Sequence, residues 1–157
     1  MKVNKVLLII CIAIPLLVGA LAAGLSGGGM DVFAMMNKPP LSPPAWLFPV
    51  AWIILYTLMG ISSYLILTAD APREQKNDAI QIYSWQLLVN FLWPTFFFNC
   101  QWYLFSFFWL VLLWLLVFLM IWRFKDISKI AALLNIPYLL WLTFAGYLNF
   151  SIWLLNQ

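Results

Sequence analysis

The sequence predicts an all-α membrane protein, a five-transmembrane-helix bundle with a long first loop acting as a lid, and three observations predict it. Five apolar stretches, at about residues 6–25, 45–68, 79–99, 102–122 and 130–155, each have about the 20 residues that an α-helix needs to cross roughly 30 Å of hydrocarbon. None contains Lys, Arg, Asp or Glu, and a charge at mid-bilayer would cost several kcal/mol. The charges lie between the stretches, and they lie unevenly: Lys2 and Lys5, Arg73 and Lys76, and Arg123, Lys125 and Lys129 fall on one side of a five-span chain, leaving Lys38 on the other. By the positive-inside rule the N-terminus is cytoplasmic and the C-terminus outside. With 66% hydrophobic and 8% charged residues in 157, the five spans use up the length, so residues 1–157 read as a single transmembrane domain without a soluble catalytic part. The net charge of +3 is a topology signal, and nucleic acid is not an expected partner.

The first stretch follows a basic pair. Its rival reading is a signal peptide with Ala20-Leu21-Ala22 as cleavage site, but the apolar run exceeds the usual core of 7–15 residues. The longest connection, Ser26–Pro44, begins with Gly27-Gly28-Gly29, a hinge, and ends with Lys38-Pro39-Pro40-Leu41-Ser42-Pro43-Pro44, stiff extended backbone. Asp31–Met36 between them suits a short helical turn. A long ordered connection over the outer end of a small bundle reads as a lid, the bland alternative being a tether. Ala69–Asp78 is a polar cytoplasmic loop. Asn99–Trp102 is a tight hairpin that makes the third and fourth helices antiparallel neighbours. Arg123–Lys129 reads as a basic loop, with Ser128 as a cap for the fifth helix. Pro49, Pro94 and Pro137 are expected at kinks.

Most enzyme chemistry is missing its residues. All five acids lie in loops, there is no histidine, and no Gly-rich phosphate loop occurs. Ion-coupled transport usually needs an intramembrane ionisable group, and the stretches offer none. Cys11 and Cys100 are too far apart in sequence to form a metal pattern, and a bridge between them is left open. What remains is aromatic: ten Trp, thirteen Phe and six Tyr. Trp102, Tyr103, Trp122 and Trp153 fall near helix ends, where interfacial belts are expected. Pro137, Trp141, Ala145, Asn149 and Trp153 recur every four residues as a slowly drifting stripe, and Trp52, Tyr56 and Gly60 follow the same rule. Gln86, Asn90 and Trp93 or Pro94 make a mixed face. Gln86, Asn90 and Asn149 are expected to point into the bundle, because unmet hydrogen bonds in lipid are costly. Trp52, Asn90 and Trp141 sit at depths that let them surround one cavity opening toward the lid. Indole walls with a few polar groups suit a flat aromatic ligand; the competing reading is ordinary core packing.

The stretch K-P-P-L-S-P-P, followed by Val50-Ala51-Trp52, Leu55-Tyr56 and Leu58-Met59-Gly60, resembles the signature of the TspO/MBR family. That family comprises the tryptophan-rich sensory proteins and the mitochondrial translocator protein, also called the peripheral-type benzodiazepine receptor. The resemblance continues through Gln86–Asn90, Trp93 and Phe96-Phe97, and closes at Pro137-Tyr138, Trp141, Phe144-Ala145, Leu148-Asn149, Ile152-Trp153 and Asn156. It implies a five-helix bundle with the first loop folded over a pocket, and commonly a homodimer. It implies no required cofactor and, as ligand, protoporphyrin IX or a haem-related tetrapyrrole, with benzodiazepine-receptor-type small molecules and membrane lipid as further partners. Light- and oxygen-dependent degradation of protoporphyrin IX by bacterial members implies the same activity here, with Trp52 and Trp141 at the positions of the two tryptophans involved. Tyr56, Asn90, Trp93, Ala145 and Phe33 complete the expected ligand contacts. Porphyrin or lipid transport, and ligand-responsive regulation without catalysis, are the alternatives.

The chain departs from the family in the lid. Many relatives carry Trp-Tyr where Val32-Phe33 stands, and Lys-Pro-x-Trp where this chain reads Lys38-Pro39-Pro40-Leu41. No basic residue follows Lys129, so the cholesterol-recognition pattern of animal members is absent. The N-terminal basic pair favours a bacterial plasma membrane over a mitochondrial one.

Overall fold

Residues 3–157 are described by a computed structural model, so Lys2 of the N-terminal basic pair lies outside the described residues. Every element among them is helical. Helix α1 (Lys5–Leu25) is capped by Asn4, whose side chain accepts from the Leu7 amide at 3.1 Å. It is apolar all round and leaves Ile9, Leu17 and Leu21 exposed, as a lipid-facing helix does. A short helix, α2 (Gly29–Met35), follows within the first connection, entered through Gly28 at φ 73°. Then come α3 (Leu47–Thr68), α4 (Arg73–Pro94), α5 (Tyr103–Ile127), α6 (Lys129–Leu134) and α7 (Ile136–Leu155). A π-helical turn, Thr95–Asn99, extends α4 beyond Pro94.

Four helices among the described residues are long and apolar enough to cross a membrane: α1, α3, α5, and α6 with α7 taken together. The fifth long helix, α4, opens with Arg73, Glu74, Lys76 and Asp78, which dilute its hydropathy. Its start corrects the expectation of a loop over Ala69–Asp78. Only Ala69–Pro72 is non-helical, because apolarity marks the part of a helix that meets lipid, whereas the helix continues as far as its backbone bonds do. The same reason corrects the basic segment Arg123–Lys129. Five of its residues are the last turn of α5, and the break is confined to Ser128, whose hydroxyl caps α6 by accepting from the Ala131 amide. The fifth apolar stretch, expected to be one helix, is divided at Asn135, with Pro137 in the first turn of α7, where a missing N–H costs nothing.

Close approaches set the packing. A Cβ added at Gly60 would meet Ile12 Cα and lie 2.7 Å from the Cys11 carbonyl oxygen, so α1 and α3 touch backbone to backbone there. Gly19 likewise makes room for the Tyr56 ring. The hairpin at Cys100–Trp102, with Gln101 at φ 54°, lays α5 antiparallel on α4, where the Trp109 indole donates to the Val89 carbonyl at 2.8 Å. Helix α6 docks on α3 through Ser62 Oγ, which donates to Ala131 O at 2.8 Å and accepts from Asn135 Nδ2 at 2.6 Å. Helix α7 packs along α5 but stands off from α3 and α4, and side chains fill that interval.

The Asn4 amide donates to the Tyr64 hydroxyl, placing the start of α1 beside the end of α3. With the antiparallel α4–α5 pair, Lys5, Arg73, Lys76, Arg123, Lys125 and Lys129 therefore gather at one end of the bundle. Lys38 lies at the other. There the first connection folds onto the bundle: Phe33 and Met36 are buried against Phe97 and Ile152. The Asn37 amide donates to Asn156 Oδ1 at 3.0 Å, and Asn156 Nδ2 returns a bond to the Asn37 carbonyl at 2.9 Å. Cys11 is buried and Cys100 exposed, both as free thiols.

Candidate functional site

The interval between α3, α4 and α7 holds the aromatic and polar residues singled out from the sequence. Trp52 stacks on Tyr56, one turn along α3, with centroids 5.2 Å apart. Its edge meets Tyr138 at 6.0 Å and Trp141 at 6.5 Å, both on α7. Trp141 in turn meets Phe48 at 5.9 Å, and Phe48 meets Phe33 of α2 at 5.0 Å. A continuous run of rings thus leads from the first connection to mid-bundle. Edge-to-face pairs of this kind contribute about 0.5–1.5 kcal/mol each beyond area burial.

Polar groups line the α4 side. Asn90 Nδ2 donates to the Tyr138 hydroxyl at 2.8 Å, and that hydroxyl donates to Gln86 Oε1 at 3.2 Å. Gln86 Nε2 reaches Met59 Sδ at 3.6 Å. All these side chains are buried, as lipid requires of them. Trp93 lies nearer the first connection. Its indole N–H is shared between Ser106 O at 3.1 Å and Asn149 Oδ1 at 3.3 Å, its ring stacks on Phe97 at 4.8 Å, and Asn149 Nδ2 donates to the Tyr103 carbonyl. Phe33 packs in the same cluster as Phe97 and Phe48, so it joins the two groups of rings. Ala145 is half-buried against the core, one turn beyond Trp141.

The structure therefore brings Trp52, Tyr56, Trp141 and Phe33 into one ring network and ties Asn90 to it through Tyr138. Across the interval expected to be hollow the Trp52 and Trp141 rings approach to 6.5 Å between centroids, and both, with Ala145, stay half-buried. Clefts open elsewhere: one of about 480 Å³ among Cys11, Ser63, Tyr83 and Leu87, between α1, α3 and α4, and one of about 290 Å³ beside α5 and α6. Gly60 serves the α1 contact and does not face the ring network. Pro137 is exposed whereas Asn149 is buried, so the four-residue stripe on the last helix does not stay on one face. Each four-residue step overshoots a 3.6-residue turn by about 40°, and from Pro137 to Trp153 the drift is about 160°.

Three neighbours of this network escaped the sequence reading as site residues. Phe48 links the first connection to Trp141. Tyr138 carries the hydroxyl between Asn90 and Gln86; its signal was a tyrosine three residues before Trp141. Lys38 brings its ammonium 5.2 Å from the Phe33 ring centroid and donates to Ala34 O, which sets a cation at the mouth of the ring run. Of the departures in the first connection, Val32 is half-buried, Phe33 buried and Leu41 exposed.

From residue 11 to residue 154 the chain matches the TspO/MBR family. It belongs to that family. Among TspO/MBR relatives it is similar to the tryptophan-rich protein TspO of Chlorobaculum tepidum, 35% identical over 159 residues that cover 98% of this chain and 99% of that one. It is also similar to protein CrtK of Rhodobacter capsulatus, 38% identical over 88% of this chain and 85% of that one. The translocator protein of Homo sapiens is 31% identical over 81% and 76% of the two chains. The TspO/MBR match runs from the middle of α1 to the end of α7, so it takes in every ring of the network and the whole first connection.

Proposed function

We propose that this TspO/MBR protein binds a flat tetrapyrrole, protoporphyrin IX, between α3, α4 and α7, in a five-span bundle with the first connection as its lid. The observation that carries the reading is the Trp52–Trp141 edge-to-face pair, backed by the Asn90–Tyr138–Gln86 chain. Two indoles from helices whose backbones stand apart give π faces to a macrocycle, and the amides give polar contacts to its pyrrole nitrogens. Side-chain rotation of either indole opens the interval that the rings now fill. No histidine is present, so an iron-bearing macrocycle would have to take an axial ligand from tyrosine or methionine, whereas a metal-free one needs none. Lys38, the one Lys or Arg at the lid end among the described residues, is placed to pair with the propionates. The positive-inside rule puts the basic end in the cytoplasm and the lid outside, in a bacterial plasma membrane.

Binding is tested by quenching of porphyrin fluorescence with purified protein. Saturable quenching is expected, weakened about tenfold in Trp141→Phe and in Trp52→Phe if each indole contributes about 1.4 kcal/mol. Lys38→Gln weakens binding of the dicarboxylate and leaves its dimethyl ester unaffected. Unchanged titrations in both indole variants would remove the site from this interval. The same samples, illuminated in air, test degradation. Light is absorbed by the porphyrin, oxygen supplies the oxidising equivalents, and the macrocycle is oxidised, so no acid–base residue is needed. Bands that fade no faster with protein than in detergent leave a binding protein without this activity.

A further inference from the structure

The cleft of about 290 Å³ lies beside α5 and α6 at the basic end, and it shares no residue with the ring network. Its walls are apolar: Phe118 and Trp122 on α5, Leu133 on α6 and Ile136 at the start of α7. Its rim carries two cations, Lys125 and Lys129, one on each side of the Ser128 break. Both ammonium-bearing residues are exposed. Lys125 Nζ stands over the Trp122 ring at 5.6 Å, an exposed cation–π contact of about 0.5–1 kcal/mol that a phosphate replaces at little cost. Asp126, the adjoining acid, does not line the cleft.

The polarity of the cleft is what identifies its occupant. From Lys125 to Phe118 the wall runs seven residues back along α5, about 10 Å toward the bilayer centre. The charged end sits at the level of the other basic residues, and Trp122 marks the interface, where indoles collect. A phospholipid has the same arrangement, an anionic phosphate at the surface and an acyl chain directed inward. A soluble phosphate would use only the lysines, and a neutral apolar molecule only the wall.

We propose that the α5–α6 cleft is a binding site for one anionic phospholipid, its phosphate held between Lys125 and Lys129 and one acyl chain laid along Phe118, Leu133 and Ile136. The site requires that the helices span a bilayer; it does not depend on tetrapyrrole binding, and the two stand or fall separately. Basic recesses between membrane helices on the cytoplasmic side commonly select anionic headgroups, each basic residue contributing about fivefold in affinity.

The full chain, purified in a mild non-ionic detergent, is titrated with phosphatidylglycerol and with phosphatidylcholine of identical acyl chains, and retained lipid is counted by native mass spectrometry. One phosphatidylglycerol per chain is expected, retained in preference to phosphatidylcholine. Joint replacement Lys125→Gln and Lys129→Gln lowers its affinity about 25-fold. Leu133→Trp, which fills the cleft from an exposed position, lowers it with both charges in place. Lys5→Gln with Arg73→Gln removes the same charge from the same end away from the cleft and leaves retention within twofold. Equal retention of the two lipids overturns the proposal, as does equal loss in the Lys5/Arg73 control. Full displacement by soluble glycerophosphoglycerol also overturns it, because a headgroup alone would then suffice.

Discussion

Replacing Tyr138 by phenylalanine removes one oxygen atom and strands two buried groups. The ring stays, so packing against Trp52 is kept and no cavity of consequence opens. Asn90 Nδ2 loses its acceptor at 2.8 Å, and Gln86 Oε1 loses its donor at 3.2 Å. Hydrogen bonds between membrane helices contribute about 0.6 kcal/mol on average and up to about 1.7. Two such bonds give a loss of about 1.2–3.4 kcal/mol, comparable to the cost of leaving a buried polar group unpaired. For a chain of this length 1 kcal/mol moves the midpoint by roughly 2–4 °C, so Tyr138→Phe is expected to melt about 2–14 °C lower in detergent. A double-mutant cycle with Asn90→Leu separates the bond from the rest: the two losses should fail to add by about 0.6–1.7 kcal/mol. A midpoint within 1 °C of the parent, or strictly additive losses, would show that the hydroxyl does not join α4 to α7.

Other substitutions read other contacts. Gly60→Ala drives a methyl into the α1 backbone and should cost about 1–3 kcal/mol in SDS-driven unfolding, whereas Gly24→Ala, with no atom within 4 Å of the added carbon, should be neutral or slightly stabilising. Asn156→Ala removes both bonds to Asn37; hydrogen exchange of the first connection should rise about tenfold while α5 exchanges as before. A membrane-impermeant maleimide added outside intact cells should modify Cys100 and spare the buried Cys11. Labelling of Cys100 only after the membrane is broken would invert the orientation.

The membrane-spanning helices were legible because the bilayer imposes a length and forbids charge, and both constraints are written residue by residue. The first turn of α4 was not, since Arg73–Asp78 lies beyond the reach of that constraint and follows only backbone bonding. Asn135 divides the last apolar stretch, but apolar residues resume at once beyond it; its amide is spent across the chain on Ser62, a partner that sequence order hides. The burial of Gln86, Asn90 and Asn149 was readable from the cost of polar groups in lipid, but their partners were not. The four-residue stripe on the last helix drifts by about 40° a step, so exposed Pro137, half-buried Trp141 and buried Asn149 all sit on it. Whether aromatic rings line a space or fill it depends on side-chain angles, which composition does not encode.

The paired bonds between Asn37 and Asn156 join positions 119 residues apart. Synthesis proceeds from the N-terminus at about 5–20 residues per second, so Asn37 leaves the ribosome at least several seconds before its partner exists. Throughout that period the first connection is held only by earlier partners, Phe33 against Phe48 and Phe97. The polar latch on Asn37 thus waits for the last helix, and a ribosome stalled short of Asn156 would yield an inserted product without it.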